Sequence, residues 1–150
     1  MAVGIRAKDW EDAIRQAGAL LVRAGDIHEG YIDRMIQSVH EYGPYIVLAP
    51  GFALAHAAPC AEVLKDAVSL ITLKDPVEFG SENDPVSVVL CLACVDRTSH
   101  LGMMQGLARV LSGRDAVGRL AACRSIEQMY QLANCLTDES GEEKERRCGK

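Results

Sequence analysis

Two histidines stand where the apolar patterning of the chain breaks. His56 closes the run APGFALAH (49–56), with Pro59 three residues on, and His100 closes the polar link DRTSH (96–100) before a Leu/Met-rich stretch. An imidazole titrates near neutral pH, so its neutral form offers one ring nitrogen as nucleophile or base while the other donates a hydrogen bond. His28 lies in a polar link and His40 near the end of a helical pattern, and both read as surface residues. His56 and His100 instead fall at a strand end and a helix start, where open α/β folds gather their sites. A lone histidine at a strand end is more often structural than catalytic, so the residue pattern alone leaves both readings open.

Sulfur chemistry is the second possibility. The six cysteines are Cys60, Cys91, Cys94, Cys123, Cys135 and Cys148. Cys60 near His56 suggests a thiol nucleophile, and Cys91 with Cys94 a redox or zinc pair. Residues three apart on a strand point to opposite faces, which argues against convergence of the latter two. Without a positively charged leader ahead of an apolar run, all six are expected as reduced thiols in the cytoplasm, with no structural disulfide.

The elements that must position these groups follow from periodicity. Asp9 caps a helix with Trp10, Ala13, Ile14, Ala17, Leu21 and Ala24 on one side, ended by Gly25. A second helix carries Tyr31, Ile32, Met35, Ile36 and Val39 and stops at Gly43 and Pro44. YIVLAP (45–50) and FALA (52–55) read as two strands meeting at a tight turn, with His56 at the end of the second. AVSLITL (67–73) and VSVVLCLACV (86–95) are nearly continuous apolar runs, as expected of strands covered on both faces. A third helix is expected after Thr98 or Ser99 as cap, with Leu101, Met104, Leu107, Ala108 and Leu111 inward. Further helices are expected at 116–123 and 125–135.

This order implies an α/β sandwich, a central mixed β-sheet flanked by α-helices. With 150 residues, of which 49% are apolar, the chain holds about one domain. That domain is expected over 1–136. TDESGEEKERRCGK (137–150) lacks apolar periodicity and reads as a charged, disordered tail. The net charge of −5 argues against nucleic acid as a partner. No apolar run approaches the roughly 20 residues needed to span a bilayer. The apolar helix faces suit internal packing or a homodimer equally.

The segment GPYIVLAPGFALAH, followed by a second histidine in HL and a Leu/Met-rich helix, resembles the IIA component of the bacterial phosphoenolpyruvate-dependent sugar phosphotransferase system. The likeness lies with the mannitol/fructose-type superfamily, and within it the ascorbate-type branch. It runs from Ile5 and DWEDAIR through GYIDRMI to DRTSHLGMMQGLARVL and weakens after about Arg114. The resemblance implies that His56 is phosphorylated by the histidine-containing phosphocarrier protein and passes the group to a cysteine of a cognate IIB component. His100 would lie beside it and donate to phosphoryl oxygens, helped by backbone amides at its helix start, with no metal or nucleotide required. Phe52 and Leu54 would form an apolar rim against water. The sequence departs from the family's usual pattern at Ala55, where proline is common, and from the branch at Ala58, where arginine is. A regulatory IIA-like protein that acts by binding a partner, and a Cys/His thiol enzyme, are the alternatives.

Overall fold

The computed structural model describes residues 1–113 and 115–135, so the expected tail at 137–150 lies outside the described residues. The sheet has five strands in the order β1-β4-β5-β3-β2. These are β1 (Ala2–Ile5), β2 (Val47–Ala49), β3 (Phe52–Ala55), β4 (Ala67–Val77) and β5 (Val86–Ala93). β1 runs parallel to β4 and β3 parallel to β5, whereas the β2/β3 and β4/β5 pairs are antiparallel. The sheet is therefore mixed, as the sequence implied.

Helices α1 (Trp10–Arg23) and α2 (Glu29–Tyr42) cover one face. Asp9 caps α1, its carboxylate accepting from the Asp12 amide at 2.8 Å. The buried stripe of α1 is Ala13, Ile14, Ala17, Gly18 and Leu21; Ala24 falls at the C-cap and is exposed. The buried face of α2 is the expected set, Tyr31, Ile32, Met35, Ile36 and Val39. Gly43, with φ of 82°, ends the helix in a backbone region that L side chains rarely enter. Against the other face lie α3 (Arg97–Leu111), α4 (Ala116–Ala121) and a last helix, α5, over 126–135.

The sheet thus separates two apolar cores. Alternation along β3 sends Ala53 and Ala55 to the α1/α2 side and Phe52 and Leu54 to the α3 side. The same alternation divides β5: Val89, Cys91 and Ala93 face one core, Val88, Leu90 and Leu92 the other. Both strands are covered on both sides, hence their continuous apolar sequences.

Three sequence expectations are corrected. β1 went unrecognised: it has four residues, and Gly4, at φ of 66°, donates its amide to the Thr72 hydroxyl at 3.0 Å, interrupting the strand pattern. The inward side of α3 is Met103, Met104, Leu107 and Leu111, whereas Leu101 and Ala108 are exposed. The cap of α3 is Asp96, two or three residues ahead of the expected Thr98 or Ser99, with its carboxylate 2.7 Å from the Ser99 amide.

Candidate functional site

His56 is the first residue past β3. Because β3 and β5 are parallel, their C-terminal ends open at the same edge of the sheet, where the chain leaving β5 turns into α3. Even-numbered residues of β3 point toward α3, and His56 continues that parity. His100, on the first turns of α3, meets it there: the two rings lie 5.7 Å apart between centroids and are inclined by 37°. The structure thus brings together the two histidines singled out by sequence. His28 holds the N-cap position of α2 without a side-chain capping bond, and His40 pairs with Glu11 at 2.6 Å and packs edge-on against Trp10.

The His56 ring is oriented by its own strand. Its Nδ1 lies 2.7 Å from the Leu54 carbonyl oxygen, and because a carbonyl only accepts, Nδ1 carries the hydrogen. In the neutral ring the lone pair is then on Nε2. Burial lowers the pKa of His56 below 6.5, and the nearby His100 lowers it further, against an opposing contribution from the Leu54 hydrogen bond. The neutral, nucleophilic form is favoured at neutral pH.

Two further aromatic residues complete the surroundings. Tyr45, just before β2, meets the His56 ring edge-on at 5.6 Å and remains 42% exposed. Tyr31, on α2, is fully buried, and its hydroxyl reaches Ala57, the residue after His56. Sequence reading placed Tyr31 only on a core face and Tyr45 only in a strand; an alternating pattern cannot tell which ring will adjoin a histidine. The expected rim is corrected: Phe52 and Leu54 are each 1% exposed and belong to the α3-side core, and Tyr45 occupies the position assigned to them.

The start of α3 is corrected as well. Two of its first amides are already engaged, since Ser99 donates to the Asp96 carboxylate and His100 donates to the Asp96 carbonyl at 3.1 Å. The Ser99 bond holds the Asp96 carboxyl below the usual carboxylate range. The group that α3 is seen to bring beside the His56 ring is the His100 imidazole.

Sulfur chemistry finds little support. Cys91 Sγ lies 3.7 Å from Met35 Sδ in the α1/α2 core, and Cys94 Sγ lies 3.5 Å from Met103 Sδ on the α3 side. The two thiols are on opposite sides of the sheet, as the strand geometry required. Cys60 packs against the α1/α2 core.

A half-buried imidazole held in one orientation thus lies beside a second one where β3 and β5 end. The sequence profile of the phosphoenolpyruvate-dependent sugar phosphotransferase system EIIA 2 family covers residues 2–135, and the chain belongs to that family. The ascorbate-specific PTS system EIIA component of Shigella flexneri is 37% identical over 129 residues, spanning 84% of this chain and 83% of that protein. Its Escherichia coli (strain K12) counterpart is 36% identical over the same shares. The solution structure of the mannitol-specific cryptic phosphotransferase enzyme IIA CmtB from Escherichia coli superposes with a TM-score of 0.81 at 32% identity, covering 89% of this chain and 90% of that one. A complex of enzyme IIAMtl with phosphorylated enzyme IIBMtl, also from Escherichia coli, matches with a TM-score of 0.75 at 26% identity, covering 88% and 93%. The protein is a IIA component of a sugar phosphotransferase system. Among the described residues no helix is long and apolar enough to cross a membrane.

Proposed function

We propose that the chain is a cytoplasmic phosphoryl carrier whose 1–136 unit accepts phosphate on His56. The lone pair on Nε2 attacks phosphorus in the phosphohistidine of the histidine-containing phosphocarrier protein. A new N–P bond forms, the donor's N–P bond breaks, and its electron pair returns to the donor imidazole. In the second half-reaction a thiolate of the cognate IIB component attacks the same phosphorus, and the His56 N–P bond breaks as an S–P bond forms. His100 donates a hydrogen bond to the phosphoryl oxygens in both steps, where charge is spread over three equatorial positions.

The observation that carries this reading is the Leu54 hydrogen bond to Nδ1, which leaves the lone pair on Nε2, in a ring whose centroid is 5.7 Å from that of His100. Transfer of this kind between two proteins is chiefly a matter of positioning. A ring fixed in one tautomer supplies it. The names of the Shigella and Escherichia coli relatives favour ascorbate or a related sugar as the transported compound.

The test is intact-mass analysis after incubation with phosphoenolpyruvate, enzyme I and the phosphocarrier. An acid-labile phosphate adduct is expected on the wild type and on His100→Ala, and none on His56→Ala. A folded wild-type protein that takes no phosphate would overturn the carrier reading and favour a regulatory protein that acts by binding. Faster discharge to an ascorbate-type than to a mannitol-type IIB supports the branch; the reverse order removes it.

A further inference from the structure

The β3/β5 ladder stops at the pair Ala55 and Cys91, one residue before His56. Beyond it, a side chain replaces the next backbone rung. The Tyr31 hydroxyl is 2.7 Å from the Leu92 carbonyl oxygen, 3.0 Å from the Ala57 amide nitrogen and 3.2 Å from the Ala57 carbonyl oxygen. A phenol has one hydrogen, and the shorter contact takes it: the hydroxyl donates to Leu92 and accepts from Ala57. It bridges the next-to-last residue of β5 to the residue after His56.

We infer that Tyr31 is a positioning residue for phosphoryl transfer, holding the backbone on the far side of His56 so that its ring keeps its place beside the His100 ring. The inference rests on His56 being the phosphorylated residue. His56 is fixed at its N-terminal side by the ladder at Ala55 and at its C-terminal side by the Tyr31 rung at Ala57. Its ring rotation is fixed by the Leu54 carbonyl. Removing the hydroxyl leaves a buried amide and a buried carbonyl without their partner, and the segment must shift to find others. The surface that a partner protein touches is unaltered, since Tyr31 has no solvent exposure. The loss is therefore expected in the transfer step and not in binding.

The test is Tyr31→Phe, which deletes only the oxygen. At saturating phosphocarrier, kcat for loading is expected to fall about tenfold with KM unchanged. On the unphosphorylated variant, the His56 ring nitrogen shifts are expected to move from a single tautomer toward a mixture. A folded Tyr31→Phe protein with wild-type kcat and unchanged ring shifts overturns the inference. If the variant does not fold, amide exchange at Ala57 in the wild-type protein decides: strong protection supports the rung, and exchange at the rate of an open loop removes it. The ring shifts need no phosphate donor. If the wild type takes no phosphate, the carrier reading fails, while changed shifts in Tyr31→Phe still support the positioning and unchanged shifts overturn it.

Discussion

Nδ1 of His56 stands 2.7 Å from the carbonyl oxygen of Leu54, two residues earlier in the same chain. That contact assigns the hydrogen to Nδ1 and the reactive lone pair to Nε2. Phosphate is expected on Nε2, identified by nitrogen–phosphorus coupling in the labelled phosphoprotein. A phosphate found on Nδ1 would require the Leu54 bond to break first and would remove the proposed orientation.

His100 lies across from His56 without a backbone bond to its ring among those described, and its centroid is 5.7 Å away. Its substitution by alanine leaves the proposed nucleophile intact and removes the proposed donor to the developing negative charge. Loading is expected to slow by about 10- to 100-fold, and the phosphoprotein to hydrolyse faster. An unchanged rate and lifetime would place His100 outside the chemistry.

The depressed pKa of His56 makes stability pH-dependent, and on the proposed mechanism activity as well. Below the unfolded-chain value of about 6.5 the unfolded state takes up a proton that the folded state resists, so stability falls as pH drops from 6.5 toward the folded value. At higher pH both states are neutral there and the contribution is level. The urea midpoint of wild type relative to His56→Gln is expected to fall between pH 7.5 and pH 5.5. The acid limb of the loading rate should lie below 6.5; a limb above it would contradict the burial argument.

Burial pushes the Cys91 thiol up to about 12, so it is not expected to act as a nucleophile in the folded state. Iodoacetamide at pH 8 is expected to modify exposed Cys135 and to leave Cys91 untouched until the protein is unfolded. Peptide mass mapping reads this directly. Rapid labelling of Cys91 in folded protein would reopen the thiol chemistry.

The parts that could be read from sequence were those coded by local periodicity. The stripes of α1 and α2 and the continuous apolar runs of β3 and β5 identified the layers, and the parity of 52, 54 and 56 already aimed His56 at one face. What lay across that face was implied by the family resemblance, which set His100 beside His56, and not by any local pattern, because α3 packs there through contacts far apart in the chain. The cap of α3 was misplaced at Thr98 or Ser99 because Asp96 is an equally good capping type, and only the reach of its carboxylate to the Ser99 amide decides for it. Tyr31 read as one more apolar position of α2. Its partners, Ala57 and Leu92, lie 26 and 61 residues away, beyond any local pattern.

Every residue of β3 is buried, and the strand delivers His56 directly from its end. As the proposed nucleophile, His56 is a fixed post and not a swinging arm. Whatever hands a group to Nε2 and whatever takes it away must come to the same spot, one after the other. Donor and recipient are then rivals for a single berth: an excess of the unloaded donor should inhibit discharge competitively, and no ternary assembly should form.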